Sequence, residues 1–446
     1  MSTNRKRLVT LLCVVGAGVA VASTAVAARQ TTPGVTAHTI TIGGTFPLTG
    51  PAASYKVIAA AEKAYYNYVN DNGGVKGRTI VDKIVDDGYD PSQTVPAVKD
   101  LVENQGVFGI VGSLGTAPGL STMNYLNSKA VPQVLLATGD AYWGLCRPQQ
   151  NFKPVPGVCP KPKPWTFGWQ PAYTGEAKLY AKYMLNHKAS PSVGIFYQND
   201  AYGLNYISGF KKGLGKANQG DILTFGPNHD PGVNYDAQNE SFNDTLSKLG
   251  QLKAAGANVL CIFGTPTPTI HALIALHALN WSPMVFINNV SANRVYLLAA
   301  ENSGATPDGF ISTTYVKSQT NTPNDSGINL ARSIIHTYND ASFGGPGALD
   351  STFNSGNSNL IYGLGVAYTF VDALNHAGAN PTRASFMSAM KSLQEGGAKA
   401  NPFLYPGISV VTNPTRTFPT NQLQFIKWDG TAHDWNPFDS VVTSGH

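Results

Sequence analysis

Residues 39–70 read TITIGGTFPLTGPAASYKVIAAAEKAYYNYVN. A β-branched run with alternating character, TITIGGTF, is followed by a turn of Pro, Thr and Gly. Apolar residues at helical spacing then continue up to the stop at Gly73 and Gly74. A strand joined through a turn to a helix is the unit of a parallel sheet, because parallel strands need a crossover and a helix supplies it. The unit recurs in TIVDKIVDD with SQTVPAVKDLVEN and in VFGIVGS with TAPGLSTMNYLNS, and VPQVLLA closes the set.

After PWTFGWQP a second series begins. It runs through the helix GEAKLYAKYML, the strand SVGIFYQND, the helix LNYISGFKKGLG, the strand DILTFG and the helix FNDTLSKLGQLKAAG, then NVLCIFG and PMVFINN. Two successive series of this make-up predict an α/β chain of two doubly wound lobes, each a mostly parallel sheet covered by helices, with a hinge between them. The last third carries one strand, GFISTTYVK, and three helices, LARSIIHTYNDA, NLIYGLGVAYTFVDALNHAG and RASFMSAMKSL. This stretch is expected to return to the first lobe. The half-buried strand QLQFIKWDG is expected to cross back to the second. The division expected is 38–168 with 292–418 for the N-terminal lobe and 169–291 with 419–446 for the C-terminal lobe.

At 446 residues the chain is long enough for two or three domains. Charged residues make up only 13% and hydrophobic residues 42%, which excludes charge-driven disorder. The 46 Gly and 29 Pro, about a sixth of the residues, imply many turns, but no G-X-Y period or low-complexity tract accompanies them.

Residues 1–27 have the three zones of a secretory signal peptide: the basic start Arg5-Lys6-Arg7, an apolar run from Leu8, and Ala25-Val26-Ala27 as a cleavage pattern. An uncleaved anchor is the alternative, since the apolar run is almost long enough to span a bilayer. Cys13 follows Leu11 and Leu12 too early in that run for lipid attachment. The whole chain has 31 basic and 26 acidic side chains. Without the signal, which carries three bases and no acid, 28 basic side chains stand against 26 acidic ones. No basic run interleaved with aromatics tracks a phosphate backbone, so no nucleic-acid partner is expected.

Three cysteines follow the signal. Cys146 and Cys159 share one Pro- and Lys-rich loop and are expected to form a disulfide, which an oxidising compartment permits. Cys261, inside NVLCIFG, is expected to be an inert core thiol. Catalytic signatures are absent from the sequence. GVFGIVG and YGLGVAY lack G-x-G-x-x-G spacing, and there is no GxxxxGK[ST], G-x-S-x-G, H-E-x-x-H or EF-hand loop. No enzyme activity, cofactor or metal site is expected.

The informative residues lie in the turns after the strands, where doubly wound sheets bind ligands. In PLTGPAASY, Tyr55 opens a helix. In GSLGTAPG, Thr116 is expected as the N-cap, either as an ordinary cap or holding a ligand carboxylate together with free backbone amides. In LLATGDAYWG, Ala137, Thr138 and Gly139 are placed to expose amides and a hydroxyl. In FYQNDAYG, Tyr202 either closes over a ligand or packs on its own helix.

ITIGGTFPLTGPAASY, YNYVNDNGGVKGR, VGSLGTAPGLSTMNYLNSKAVPQVLLATG, GWQPAYTGEAKLYAKYML and GIFYQNDAYGLNYISGFKKGLG together resemble the extracytoplasmic substrate-binding proteins of ABC importers, in the branched-chain amino-acid (Leu/Ile/Val) binding family. The resemblance spans nearly the whole chain after the signal. It implies the type I periplasmic-binding fold, with three hinge crossings, closure around a small solute and delivery to a membrane permease by a monomer outside the cytoplasm.

By motif position the resemblance assigns Tyr55 to an aromatic wall, Thr116 to carboxylate binding, Ala137 to Gly139 to a second carboxylate clamp and Tyr202 to the second lobe's wall. On the amine side the family pattern has a tyrosine and a glutamate, where this chain has FGTPTP and FINNVSA. Thr265 or Pro266 stands near the first position. Asn289, or Asn288 one residue earlier, stands at the second. Without a carboxylate there, a branched-chain amino acid, an amide, a hydroxy acid and an aromatic carboxylate all stay open as ligands. A ligand sensor working with a membrane receptor stays open as the alternative function. Residues 146–164 look like an insertion relative to the family's short turn.

Overall fold

The computed structural model describes residues 32–145, 161–413 and 418–445. The signal-like segment 1–27 and the pairing of Cys146 with Cys159 lie outside the described residues. Among the described residues, no helix is long and apolar enough to cross a membrane.

Two main sheets carry the chain. In the first, parallel strands lie in the order Thr79–Asp86, Thr39–Phe46, Ile110–Val111, Gln133–Val134, Thr166–Phe167. The first strand of the chain therefore sits between the second and third, and the order reverses beside it. That reversal opens a crevice at the strands' C-terminal ends. The second sheet has eight strands, and Val193–Gln198 lies between Val233–Tyr235 and Val259–Phe263, giving a second reversal. Met284–Ile287 and Ile311–Thr314 continue it in parallel, and Gln422–Asp429 and Asp434–Pro437 add an antiparallel edge. This is the type I periplasmic-binding architecture.

Sequence and structure part at two places. The expected strand in 221–226 meets the second sheet only at Ile222, in a single parallel bridge to Val193, and its Thr224–Phe225 pairs with Asp230–Pro231 in a separate hairpin. The edge strand is Val233–Tyr235, whose Val233 and Tyr235 point into the core. The return to the first lobe also falls later than residue 292. Ile311–Thr314 is bonded between Met284–Ile287 and Gln422–Asp429, and the helix Arg294–Glu301 buries Leu297 and Ala300 in the same core as Leu273 and Leu276. These apolar faces have their partners in the second lobe, so the crossing lies beyond Thr314.

The chain passes between the lobes in three segments: after Phe167, after Thr314, and before Gln422; between the last two, the helices Ser326–Tyr338 and Ser358–His376 pack on the first lobe's core without adding a strand to its sheet. Trp169 joins the three crossings. Its carbonyl accepts from Thr420 N at 3.1 Å, its ring meets Tyr315 edge-on at 6.0 Å, and its Nε1 donates to Thr369 Oγ1 at 2.9 Å. Gly363 and Gly365 of YGLGVAY serve packing rather than a phosphate. A Cβ on Gly363 would lie 2.5 Å from the Ile58 carbonyl oxygen, so Ser358–His376 can approach Lys56–Asp71 closely. Cys261 is buried and unpaired in the second lobe's core.

Glu395 is buried and accepts from Thr369 Oγ1 at 2.9 Å and from Asn401 Nδ2 at 3.1 Å. Burial outweighs these bonds and pushes its carboxyl from 4.5 up to about 8. The folded chain therefore keeps a proton that the unfolded chain releases near pH 4.5. The contribution is fully present below that value and is lost as pH rises toward 8. Melting of the wild type and Glu395→Gln across pH 5 to 8 is expected to show the variant gaining relative to the wild type as pH rises. A constant difference would contradict this account.

Candidate functional site

The two order reversals face one another, and a cavity lies between them at the foot of the three crossings. It leaves about 70 Å³ for the centres of water-sized atoms, room for a small organic molecule rather than one water. Six tyrosines line it: Tyr55, Tyr89, Tyr173, Tyr202, Tyr315 and Tyr362. The remaining walls among the described residues are apolar groups, backbone and neutral polar side chains, with no Asp, Glu, Lys, Arg or His. Among the described residues, no group of three or more His, Cys, Asp or Glu is placed to hold a metal ion.

Of the residues expected at the site, Tyr55, Thr116, Ala137, Tyr202 and Asn289 line the cavity, as does Thr265. Tyr55 comes from the 3-10 turn Ala53–Tyr55 ahead of the helix Lys56–Asp71, and its hydroxyl donates across the cleft to the Val290 carbonyl at 3.1 Å. Tyr202 is fully buried in the second lobe. Its hydroxyl donates to the Gly264 carbonyl at 2.9 Å and accepts from Asn288 Nδ2, so its ring is the part left for a ligand. Asn288 thereby commits its Nδ2 behind the wall that Asn289 reaches, while its Oδ1 is buried without a hydrogen-bond partner among the described residues, and Asn288 itself is not among the walls.

Thr116 is the first residue of the helix Thr116–Ser128 and not its N-cap. Gly115 takes that place at φ 111°, a backbone conformation that favours glycine, and a Cβ there would lie 2.8 Å from the Tyr89 ring. Gly115 has no capping side chain and Pro118 has no N–H. The amides of Thr116 and Ala117 therefore start the helix uncapped, at its positive end. The Thr116 hydroxyl lies 2.7 Å from Thr138 Oγ1.

The expected clamp at Ala137 to Gly139 is different in the structure. The Ala137 amide donates to the Ser113 carbonyl at 2.8 Å and the Thr138 amide to the Leu136 carbonyl at 2.8 Å, while the Gly139 carbonyl accepts from Tyr173 N. These groups build the turn, so Ala137 contributes only a wall. Thr138 stands one layer back, behind Thr116, and Gly139 is not among the walls.

Sequence reasoning passed over Tyr89, Gln170 and Glu176. Tyr89 follows the second strand in DDGYDP, a turn of the kind that marked the other sites, and sits at φ 62°. A buried tyrosine in the left-handed region costs roughly 1–3 kcal/mol and persists only where the surroundings hold it. Its carbonyl accepts from Gln238 Nε2 at 3.0 Å and its hydroxyl from Gln198 Nε2 at 3.4 Å, both from the other lobe. Gln170 lines the cavity from the first crossing, and its Oε1 accepts from Tyr362 Oη at 3.1 Å. Glu176, in the helix Tyr173–His187, is fully buried behind Asn289.

Further hydrogen bonds join the lobes outside the cavity walls. Asn205 grips the turn opposite: its Nδ2 donates to Asp140 Oδ2 at 2.6 Å and its Oδ1 accepts from Ala141 N at 3.1 Å. Burial pushes the Asp140 carboxyl up to about 7, with the like charge of Asp200 adding to the shift.

A family model described as periplasmic binding protein matches residues 39–432. A Leu/Ile/Val-binding protein homolog 3 of Brucella melitensis is 29% identical over 228 residues, covering 50% of this chain and 54% of that protein. The Leu/Ile/Val-binding protein BraC3 of Rhizobium johnstonii is 29% identical over 177 residues, covering 39% and 44%. The chain thus spans about half the length of the curated relatives it matches. Among solved structures, a branched-chain amino acid ABC transporter protein of Thermus thermophilus with bound valine superposes with a TM-score of 0.72 at 15% identity, covering 91% of this chain and 97% of that one. A fatty acid ABC transporter substrate-binding protein of Thermomonospora curvata gives 0.69 at 18% identity, covering 93% and 95%.

Replacing Asn205 by Ala strands the buried Asp140 carboxyl and the Ala141 amide. Loss of these bonds is expected to cost about 1–3 kcal/mol, read as a lowered melting temperature. An unchanged melting temperature would show that the contact contributes nothing to closure.

Proposed function

The chain belongs to the periplasmic binding protein family, and from that premise we propose that it captures a small carboxylate-bearing solute between its lobes, outside the cytoplasm, and delivers it to an ABC permease. It is a binding protein and not an enzyme. The observation that carries the reading is the uncharged, tyrosine-walled cavity whose walls come from both lobes and from the crossings that join them. A solute there bridges the lobes, so binding and closure are one event.

The uncapped amides at Thr116 and Ala117 and the Thr116 hydroxyl offer a ligand carboxylate donors at the positive end of a helix. Charge is needed only on the ligand, since helix ends hold anions without a cationic side chain. The relatives' names point to branched-chain amino acids, and the tyrosine rings suit an apolar side chain. The same rings favour a second reading, an aromatic carboxylate that stacks on Tyr55, Tyr173 or Tyr202. Export by the segment 1–27 and action as a monomer belong to the same proposal.

Thermal melting of residues 28–446 with amino acids, hydroxy acids, amides and aromatic carboxylates tests the reading. A ligand at one hundred times its dissociation constant is expected to stabilise the chain by about 2.7 kcal/mol. Thr116→Ala is expected to weaken that ligand by about 1–2 kcal/mol, as loss of a hydrogen bond to a charged group does. Raised melting by none of the carboxylates, or full affinity in Thr116→Ala, would contradict the assignment.

A further inference from the structure

Glu176 holds a buried charge site with no cation beside it. The carboxylate accepts from four donors: Tyr180 Oη at 2.5 Å and Asn289 N at 2.7 Å on Oε1, and Tyr206 Oη at 2.8 Å and Asn289 Nδ2 at 2.6 Å on Oε2. No Lys, Arg or His forms an ion pair with it among the described residues. A fully buried carboxyl that collects neutral donors only is costly unless something else uses it.

Asn289 connects this group to the cavity. Both of its nitrogens are committed to Glu176, while its Oδ1 is buried without a hydrogen-bond partner. A carboxylate only accepts, so it fixes the amide with Nδ2 toward Glu176 and leaves the carbonyl as the end free for another group. An amide that donates to a carboxylate is polarised, and its oxygen becomes the better acceptor. Asn289 and Thr313, which also lies beside Glu176, are cavity walls.

We propose that Glu176, acting through Asn289, selects ligands that carry an ammonium group: the ammonium donates to Asn289 Oδ1, and the carboxylate one amide further back supplies the counter-charge. The inference rests on the reading of the cavity as the solute site and names the amine class within it. It accounts for the lack of an acidic side chain in FGTPTP and FINNVSA, because the charge enters from the helix Tyr173–His187 instead. Glu176 is a positioning residue; it does not touch the solute.

The charge has its own signature. Burial holds the Glu176 carboxyl at about 7, against the hydrogen bonds it accepts. The titratable groups that face it are Tyr180, Tyr206 and Tyr315, each pushed far up by burial and neutral throughout this range. Amine binding is therefore expected to strengthen as pH rises from 6 to 8, while binding of amine-free acids gains nothing.

Calorimetric titration of the chain with L-leucine and L-valine, and with 2-hydroxy-4-methylpentanoate and 2-hydroxy-3-methylbutanoate, tests the inference. The wild type is expected to prefer the amino acids. Glu176→Gln is expected to lose at least tenfold for them, to change by less than twofold for the hydroxy acids, and to lose the rise with pH. Asn289→Ala, at a half-buried position, repeats the comparison if Glu176→Gln does not fold, with the same selective loss expected. Equal losses for both classes, or none for either, would overturn the relay. A wild type that prefers hydroxy acids would overturn it and leave the solute-binding reading standing. Binding of neither class, with hits among amides or aromatic carboxylates, would overturn the relay, whereas no binding by any member of the wider panel would overturn both.

Discussion

Trp169 is the point at which the three crossings are tied to one another. Its carbonyl accepts from Thr420, its ring packs on Tyr315, and its indole N–H reaches Thr369 in the long helix Ser358–His376. Each crossing on its own is a short peptide able to bend. One fully buried ring joins all three. Gln170 follows Trp169 and Tyr315 is its neighbour in space, and both are cavity walls, so the solute site begins where the hinge does. Strain at Tyr89, which faces the same space from the first lobe, fits a site whose geometry is set by function and held by surrounding structure.

Most of the fold could be read because its signals are local. Strand and helix periodicity are written within each βα unit, and the rule that ligands sit at the strand ends singled out Tyr55, Thr116 and Tyr202, which line the cavity, while Asn289 came only through the resemblance. What escaped depends on contacts distant in sequence. Thr116 looked like a cap because it precedes an apolar helix, but the left-handed backbone at Gly115 starts the helix one residue earlier. Ala137 looked like a free amide because nothing local marks Ser113 as its acceptor. Ile311–Thr314 reads as a strand in isolation, yet its place in the second sheet is fixed by pairing with Met284–Ile287 on one side and with Gln422–Asp429, more than a hundred residues on, on the other. Glu176 is one charge inside an amphipathic-looking helix, and its importance appears only when Asn289 is brought against it.

The cavity's neutrality shapes its chemistry. Without a charged wall, affinity rests on oriented dipoles: a helix start on one side, a polarised amide on the other, and tyrosine rings between them. Within each lobe these groups are held by the fold, so the ordering cost of binding falls mainly on closure. The bonds that Gln238 and Tyr55 make across the cleft are likewise between uncharged groups, while that of Asn205 goes to the Asp140 carboxyl. Opening and closing then differ by a small free energy that a bound solute is able to tip.

The central claim is that one solute spans the two lobes in this cavity. A crystal structure grown with the solute that most raises the melting temperature tests it most directly. The account predicts density with a carboxylate at the Thr116 and Ala117 amides, and with the opposite end beside Asn289. Density lying instead in the neighbouring cavity, among Arg294, Lys317 and Trp435, with the tyrosine-walled space unfilled, would contradict it.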